Sequence, residues 1–289
     1  MAKIIKKQDR SENYLVVKKN ALIEAKYKMG LDEQKLVIFS ISKIKPKDEE
    51  YKEYTFYVKE FADLLDMGIR DARKKLRRLT KQILKRPLLI HPDSNTEIQC
   101  NWFASITYKQ REETVSFSFT PKLFPFLLNL QKCFTAYKLK NVLYLRSVYS
   151  IRLYELLKQY KGVGVREIKL ADLRNLLGLE EGNYKLYGHF KQKVLEVARK
   201  ELGVRTDISF TYGEIKTGRR VTSLLFNIQG QEITSTPPLE RRSSNIKIEP
   251  GMKIQWHGKE YEVQEGNCLR LPDGIVPEGE LRRSLLGSR

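Results

Sequence analysis

The sequence predicts an α+β protein in which two similar units follow each other and a small β-rich module ends the chain. Helices followed by a β-hairpin occur twice in the same order, although the two copies show no close sequence repeat. The last helix before each hairpin is amphipathic and strongly basic on its outer side. A hydrophobic content of 41% in 289 residues is enough for the cores of both units.

Shifts in composition divide the chain into five segments. They are a basic leader (1–12), a first folded unit (13–135), a second folded unit (136–230), a flexible linker rich in Ser, Thr, Pro and Arg (231–245), and a β-rich tail of unknown role (246–289). Lys and Arg exceed Asp and Glu by 10 up to residue 135 and by 9 in the second unit, and the charges balance in the remainder. The net charge of +19 therefore belongs to the first two units.

This charge distribution is typical of a protein that contacts an extended polyanion in two places. Duplex DNA fits better than a membrane, because no stretch has the length of a transmembrane helix and no lipidation signal is found. The N-terminus lacks the apolar core of a signal peptide. Cys100, Cys133 and Cys268 have no disulfide or metal-site spacing and are expected to be reduced thiols. We therefore expect a cytoplasmic protein.

The first unit is predicted to begin with helices and to end with strands. Expected helices cover residues 21–27, 31–44, 59–67 and 69–85, and expected strands cover residues 54–58, 88–90, 98–108 and 114–119. Gly68 separates the last two helices, as in a helix-turn-helix. The outer side of helix 69–85 carries Arg70, Lys74, Arg77, Arg78 and Lys81. An apolar helix over residues 121–130 is expected to pack between the two units.

The second unit repeats this order of elements. Expected elements are a segment over 134–145, a helix from the N-cap Ser147 to Tyr160, a strand over 167–170, and helices over 171–177 and 187–202. Gly203 is expected to end the last helix. Tyr144, Tyr149, Tyr154 and Phe190 are expected in the core. Arg152 and Glu155 lie three residues apart on one helix and are expected to form a surface ion pair.

The last helix and the hairpin after it have the pattern of a winged helix, in which a helix enters the major groove and a hairpin contacts the neighbouring backbone. Phe190, Val194, Val197, Ala198 and Leu202 form the apolar side of the helix. The opposite side carries His189, Gln192, Lys193, Arg199 and Lys200. A solvated helix beside an ordinary hairpin would give the same pattern in one unit. Its occurrence in both units favours two tandem winged-helix domains.

The polar residues are expected to divide between base reading and phosphate contact. His189, Gln192, Lys193 and Lys200 suit the groove, since Gln pairs with adenine and cations pair with guanine or phosphate. The expected hairpin turn, residues 213–220, contains Lys216, Arg219 and Arg220, which suit phosphate or the minor groove. The basic residues of helix 69–85 suit phosphate contact better than base reading. For each of these residues, a solubilising role on the surface is the simpler alternative.

Three stretches resemble the initiator proteins of iteron-containing, theta-replicating plasmids, which are built from two winged-helix domains. They are VVKKNALIEA (16–25) with LDEQKL (31–36), FTAY (134–137) with LRSVYSIRLYELL (145–157), and FKQKVLEVA (190–198) with Thr206-Asp207 and Gly218-Arg219. Their specificity lies in their order and spacing over residues 14–229, and the middle stretch is the most specific. The tail has no counterpart in the resemblance.

The resemblance implies a protein that binds short direct repeats, the iterons, at a plasmid origin and helps to open the adjacent duplex. It also implies recruitment of host replication proteins such as the host initiator and helicase. A homodimer that represses its own promoter would be in equilibrium with an initiating monomer. The first domain would then serve dimerisation and DNA backbone contact, and the second would serve sequence recognition.

Two other functional classes remain open at this stage. A winged-helix transcriptional repressor without initiator activity would bind DNA through the same elements. A rolling-circle relaxase or nuclease would need paired metal-binding histidines near a nucleophilic tyrosine, but His91, His189 and His257 are isolated. No phosphate-binding glycine loop or nucleophile elbow is present. We therefore expect neither an enzyme nor a bound cofactor or metal.

Overall fold

The computed structural model describes residues 14–45, 48, 52–180, 182–232, 253–256, 259–262, 269–271 and 274–276. The chain forms two compact units, Met1–Pro237 and Pro238–Arg289. The larger unit contains both predicted domains. The expected basic leader and most of the expected linker lie outside the described residues.

The first domain has the helix and strand order of a winged helix. Its elements are β1 (Leu15–Lys19), α1 (Asn20–Ile23), α2 (Leu31–Ile41), β2 (Tyr54–Tyr57), α3 (Val58–Leu64), α4 (Ile69–Ile83), β3 (Leu88–Asp93), β4 (Thr96–Cys100), β5 (Phe103–Lys109) and β6 (Thr114–Phe119). An antiparallel sheet has the order β2–β6–β5, and β3 and β4 form a separate hairpin. Phe39 of α2 packs edge-on against Phe56 of β2, which joins this helix to the sheet, and Phe103 packs edge-on against Phe117 within the sheet.

The single strand predicted over residues 98–108 is wrong, because the chain bends between β4 and β5. The bend places Trp102 in the core with 1% of its surface exposed. The Trp102 carbonyl accepts a hydrogen bond from the amide of Thr120 at 3.1 Å, and the indole meets the ring of Tyr27 edge-on at 5.4 Å. β4 consequently pairs with β3, whereas β5 pairs with β6.

The helix predicted over residues 21–27 ends at Ile23, and the following segment, residues 24–30, is mostly non-helical. Lys26 and Leu89 exchange both backbone hydrogen bonds at 2.9 Å, so an isolated β-bridge ties the segment to β3. The buried side chains of Ala25 and Tyr27 anchor it from the other side. Tertiary contacts outweigh the helical pattern of this stretch.

The expected connecting helix is a 3₁₀ turn, Pro121–Leu123, followed by α5 (Phe124–Leu127). α5 contacts β1 and α1 of the first domain. The chain then forms β7 (Phe134–Lys138), which pairs antiparallel with β1. The expected boundary between residues 135 and 136 therefore falls within β7.

The second domain repeats the winged-helix order. Its elements are α6 (Lys140–Leu143), α7 (Val148–Lys158), β8 (Val165–Lys169), α8 (Leu170–Leu176), α9 (Tyr187–Phe190), a π-helical turn (Lys191–Leu195), α10 (Glu196–Arg205), β9 (Ile208–Thr217) and β10 (Arg220–Gly230). The three strands form an antiparallel sheet in the order β8–β10–β9. The Ser147 hydroxyl accepts the amide of Tyr149 at 3.2 Å, as expected of the predicted N-cap. Tyr144, Tyr154 and Phe190 are buried, and Tyr149 is half-buried.

Two details of the last helix and hairpin differ from the prediction. The helix does not end at Gly203 but continues to Arg205, and extended backbone begins at Thr206. β9 likewise extends to Thr217, so the wing turn contains only Gly218 and Arg219 rather than eight residues. Gly218 adopts a positive φ of 61°, which glycine permits without strain. The wing is therefore a long, regular two-stranded ribbon.

The prediction that Arg152 and Glu155 form a surface pair is wrong. Their side chains are 1% and 0% exposed, and the nearest charged atoms are 3.4 Å apart. Lys18 of β1 completes the group, with its ammonium 2.6 Å from Glu155. Tyr137 of β7 also donates a hydrogen bond to Glu155. These ions are buried because β1, β7 and α7 pack around them. The Glu155 carboxylate lies between the cations Lys18 and Arg152, and hydrogen bonds add to this compensation.

The segment over residues 24–30 joins the first domain to the second. Arg152 donates to the carbonyl of Ala25 at 2.9 Å and to the hydroxyl of Tyr27 at 2.8 Å, and it also donates to the carbonyl of Leu176 at the end of α8. Gly178 approaches so closely that a Cβ there would lie 2.4 Å from the Tyr27 carbonyl oxygen. The two domains therefore meet through a buried, charged joint made by Lys18, residues 24–30, Arg152, Glu155 and Gly178.

The described residues of the smaller unit form two antiparallel strand pairs. Strand β11 (Lys253–Trp256) pairs with β12 (Lys259–Glu262), and β13 (Leu269–Leu271) pairs with β14 (Gly274–Val276). The sequence predicts short strands over residues 246–248, 252–256 and 260–263, and the first strand pair matches the last two of them. The strand expected over residues 246–248 lies outside the described residues.

Candidate DNA-binding surface

Helix α4 presents a basic side to solvent. Arg70, Lys74, Arg77, Arg78 and Lys81 are all exposed, as predicted. The opposite side is buried and carries Ala72, Leu76, Leu79, Thr80 and Ile83. Ile69, at the N-terminus of the helix, is 38% exposed.

The cations of α4 differ in how they are compensated. Arg73 pairs with Glu113, and Lys75 pairs with Asp32 at 2.7 Å, so these two charges are neutralised locally. The Arg77 guanidinium lies 4.6 Å from the centre of the Tyr108 ring. No acidic side chain in the described ranges pairs with the remaining four cations of the outer side, which are Arg70, Lys74, Arg78 and Lys81. Those four are available to phosphate groups.

The long helix of the second domain, α9 to α10, presents a second polar side. His189, Gln192, Lys193, Arg199 and Lys200 are exposed, as predicted. Phe190, Val194, Ala198 and Leu202 are buried as expected, and Val197 is only half-buried.

The π-helical turn Lys191–Leu195 lies in the middle of this polar side. The amide of Glu196 donates to the carbonyl of Lys191, five residues earlier, and the adjacent residues Val194 and Leu195 are both buried. The predicted apolar stripe does not include Leu195. Turns of this kind occur often at functional positions.

The wing continues the basic surface. Lys216, Arg219 and Arg220 are exposed at the end of the ribbon, and Arg219 and Arg220 pair with no acidic side chain in the ranges that the structure covers. The ammonium of Lys216 lies 3.6 Å from Glu214. The helix and the wing together expose eight of the predicted residues on one domain, and α4 exposes the other five on the neighbouring domain.

Two carboxylates connect the long helix to the wing. Glu214 of β9 accepts from Lys191 at 2.8 Å and from the Tyr187 hydroxyl at 2.9 Å. Glu196 of α10 accepts from Arg199 at 2.6 and 2.9 Å and from the Tyr212 hydroxyl at 2.6 Å.

These contacts shift the acidity of the groups that take part. The hydrogen bond from Tyr212 is the largest cause that lowers the pKa of Glu196, and the hydrogen bond from Lys191 is the largest for Glu214. Burial and then the nearby carboxylates raise the pKa of Tyr187 and Tyr212. Both carboxylates are therefore ionised and both phenols are neutral at neutral pH.

The sequence did not reveal the residues that hold the long helix in place. Glu201 accepts the backbone amides of Arg146 and Ser147 at 3.1 to 3.3 Å, before the first turn of α7. Arg205 donates to the carbonyl of Tyr144 at 2.6 Å. Residues of this kind bond to backbone atoms that are distant in the sequence, so no periodic pattern marks them.

Other kinds of site find no support in the described part of the chain. No group of three or more His, Cys, Asp or Glu side chains there could hold a metal ion. Among the same residues, no helix is both long and apolar enough to cross a membrane. Cys100 and Cys133 are free thiols there, and Cys268 lies outside the described ranges.

Comparison with known families assigns this arrangement of two winged-helix domains to a protein family. A family model described as "Initiator Replication protein, WH1" matches residues 15–158, and one described as "Initiator Rep protein, WH2" matches residues 169–228. The two models together cover both winged-helix domains. The chain belongs to the initiator replication protein family. This assignment confirms the resemblance, the two tandem winged-helix domains and the DNA-replication function expected from the sequence.

Individual proteins are also similar to this chain. The chain is 25% identical over 224 residues to a replication initiation protein of Escherichia coli, a match that covers 74% of this chain and 69% of the relative. It is 22% identical over 224 residues to an uncharacterized 27.6 kDa protein of Escherichia coli, which covers 73% of this chain and 93% of that protein. Among solved structures, the Pi initiator protein in complex with iteron DNA matches with a TM-score of 0.64 at 21% identity, over 76% of this chain and 99% of that chain.

Proposed function

We propose that this initiator binds the direct repeats of a plasmid origin as double-stranded DNA and thereby starts replication. The observation that carries the proposal is the pair of basic helices, α4 and the long helix α9 to α10, held in one compact unit by the buried joint. Each helix is flanked by a hairpin, so each domain can lodge one helix in a major groove. The Pi initiator, which has the same fold, was solved with iteron DNA.

The second domain supplies the sequence readout in this proposal. His189, Gln192, Lys193 and Lys200 are exposed polar side chains on the long helix, and all have atoms that can bond to base edges. Arg199 is exposed beside them and contributes positive charge to the same side. Lys216, Arg219 and Arg220 of the wing supply phosphate contacts, and the cations of α4 supply a further set in the first domain.

The protein acts by binding and assembly rather than by catalysis in this proposal. Binding of the repeats would help to open the adjacent duplex and bring in the host initiator and helicase. A homodimer in equilibrium with a monomer would separate promoter repression from initiation. The same chemistry needs no cofactor, and its place of action would be the cytoplasm, where the plasmid lies.

Mobility-shift assays with DNA from around the gene test the proposal. The wild-type protein is expected to shift a duplex with the tandem repeats in preference to a scrambled duplex. The variant Lys193→Ala/Lys200→Ala is expected to lose that preference. The variant Arg219→Ala/Arg220→Ala is expected to weaken binding to both duplexes and to reduce the salt dependence. Normal repeat binding by both double variants would refute the proposed reading surface.

A transcriptional repressor without initiator activity is the second candidate, because it would use the same surface. The DNA separates the two functions. Tandem direct repeats beside an AT-rich stretch would favour the initiator, whereas a lone inverted repeat would favour the repressor. Replication of a plasmid that carries the gene and this DNA, and its loss in the Lys193→Ala/Lys200→Ala variant, would decide between them.

A further inference from the structure

A polar crevice separates the long helix from strand β9 on the proposed DNA-binding surface. Lys191, Glu196 and Arg199 line it from the helix, and Thr211, Tyr212 and Glu214 line it from the strand. Two of the six are cations and two are carboxylates, so the crevice has no net charge although the surface around it is basic. The balance results from direct pairs, since Lys191 bonds to Glu214 and Arg199 bonds to Glu196.

These pairs are accessible to solvent and therefore to a phosphate group. The side chains of Lys191 and Arg199 are 45% and 52% exposed, whereas Glu214 and Glu196 are 21% and 35% exposed. The cations thus lie further out than their carboxylates. A tyrosine hydroxyl donates a hydrogen bond to each carboxylate and so anchors it. Tyr187 donates to Glu214, and Tyr212 donates to Glu196.

This geometry makes the free energy of phosphate binding in the crevice less favourable. A phosphate that approaches Lys191 or Arg199 must compete with a carboxylate already bonded to that cation. After displacement, the anchored carboxylate remains close to the phosphate, and like charges repel at this range. Contact with phosphate supplies nearly all of the affinity for non-specific DNA. Repulsion of phosphate in the crevice therefore lowers the affinity for non-specific DNA more than the affinity for the repeats.

We infer that Glu196 and Glu214 are specificity-determining residues, which lower the affinity of the crevice for DNA phosphate and so limit binding to DNA without the repeats. Lys191, which is not among the residues predicted to contact DNA, bonds to Glu214, and Lys216 of the wing lies 3.6 Å from the same carboxylate. The inference rests on the proposed function, because it assigns these carboxylates a role on the proposed DNA-binding surface. The partner that they act against is the phosphate backbone of duplex DNA.

The experiment compares Glu214→Gln and Glu196→Gln with the wild-type protein on a short duplex of scrambled sequence. Glutamine keeps the size of the side chain and an oxygen that accepts from tyrosine, but it removes the charge. Each variant is expected to bind the scrambled duplex roughly two- to fivefold more tightly, the range of one exposed ion pair. The plot of log affinity against log salt is expected to steepen by about one unit, because one more cation contacts phosphate. The ratio of affinities for repeat and scrambled DNA is expected to fall.

Two controls separate this role from a structural one. Tyr187→Phe and Tyr212→Phe remove the anchoring hydroxyls without changing the charge, and they are expected to raise scrambled-duplex affinity less than the glutamine variants. Glu180→Gln changes net charge by the same amount at a carboxylate that pairs with Lys28 outside the crevice, and it is expected to bind like the wild type. Unchanged or weaker binding of the scrambled duplex by both glutamine variants would overturn the inference. A wild-type protein without preference for the repeats would instead refute the proposed function.

Discussion

The ammonium group of Lys18 lies 2.6 Å from the carboxylate of Glu155, and both side chains are almost completely buried. Lys18 belongs to β1 of the first domain and Glu155 to α7, at positions 137 residues apart in the sequence. Burial raises the pKa of Glu155, but the charges of Lys18 and Arg152 outweigh burial and keep the pKa below its ordinary value. The joint between the winged-helix domains is therefore ionic at neutral pH.

Removing one partner of this pair is expected to destabilise the protein strongly. Glu155→Gln alone leaves the buried cations Lys18 and Arg152 without their carboxylate, at a cost of about 3 to 5 kcal/mol in the free energy of unfolding, and Lys18→Met alone leaves Glu155 with Arg152 as its remaining charged partner. The double variant Lys18→Met/Glu155→Gln keeps one buried cation, Arg152, and an acceptor for Tyr137, so it is expected to recover part of the loss caused by Glu155→Gln. Urea denaturation of all four proteins measures the coupling. Additive losses in the double variant would contradict the ionic joint.

The pH dependence of stability is expected to follow from the lowered pKa of Glu155. A carboxylate with a lower pKa in the folded state stabilises the protein above the unfolded-state pKa, which is about 4.3. That contribution disappears as the pH falls through the folded-state pKa, because the protonated acid no longer compensates Lys18 and Arg152.

The double variant Lys18→Met/Glu155→Gln lacks this titration and is the matched control. Its stability relative to the wild type is expected to improve between about pH 6 and about pH 3, as measured by urea denaturation at each pH. A difference between the two proteins that stays constant over this range would show that Glu155 does not titrate as described.

Two glycines are expected to respond in opposite ways to replacement by alanine. Gly178 has a positive φ of 68°, and a Cβ there would lie 2.4 Å from the Tyr27 carbonyl oxygen, so Gly178→Ala forces the two domains apart. We expect a loss of about 1 to 3 kcal/mol. Gly203 lies within α10 with no atom within 4 Å of its Cβ position, so Gly203→Ala is expected to stabilise by about 0.5 to 1 kcal/mol. Thermal unfolding of both variants tests the contrast, and equal effects would contradict it.

The cations of α4 that have no acidic partner are expected to contribute more to DNA binding than those that already form an ion pair. Arg78→Ala removes an exposed cation without an acidic partner among the described residues, and it is expected to reduce the slope of log affinity against log salt by about one unit. Arg73→Ala removes the same charge from the same helix, but Arg73 already pairs with Glu113, so its effect on the slope is expected to be smaller. Titrations at several salt concentrations measure both slopes. A larger effect of Arg73→Ala would place the DNA elsewhere on α4.

The sequence was a reliable guide where local pattern decides structure. The apolar and basic stripes of α4 and the N-cap at Ser147 depend on neighbours within a few residues. The exposed residues of the candidate surface were predictable for the same reason, since charged side chains on the outer side of an amphipathic helix remain in solvent.

Predictions from the sequence were wrong where contacts between residues far apart in the sequence determine the structure. Arg152 and Glu155 look like an ordinary exposed pair on α7, and only the approach of Lys18 and Tyr27 from the first domain buries them. The same holds for the non-helical segment 24–30, whose bonds to Leu89 and Arg152 outweigh its helical pattern. The role of Lys191 is not predictable from the sequence, because the crevice that it lines forms only when β9 lies beside the long helix.

The π-helical turn at Lys191–Leu195 has a consequence for any attempt to change which DNA the initiator reads. One additional residue in that turn rotates Gln192 and its predecessors about the helix axis relative to Arg199 and Lys200. Substitutions transplanted by alignment from a homologue with an uninterrupted helix would point some side chains at the wrong base pair. Engineering of new origin specificity therefore has to transfer the whole turn together with its flanking residues, as one cassette.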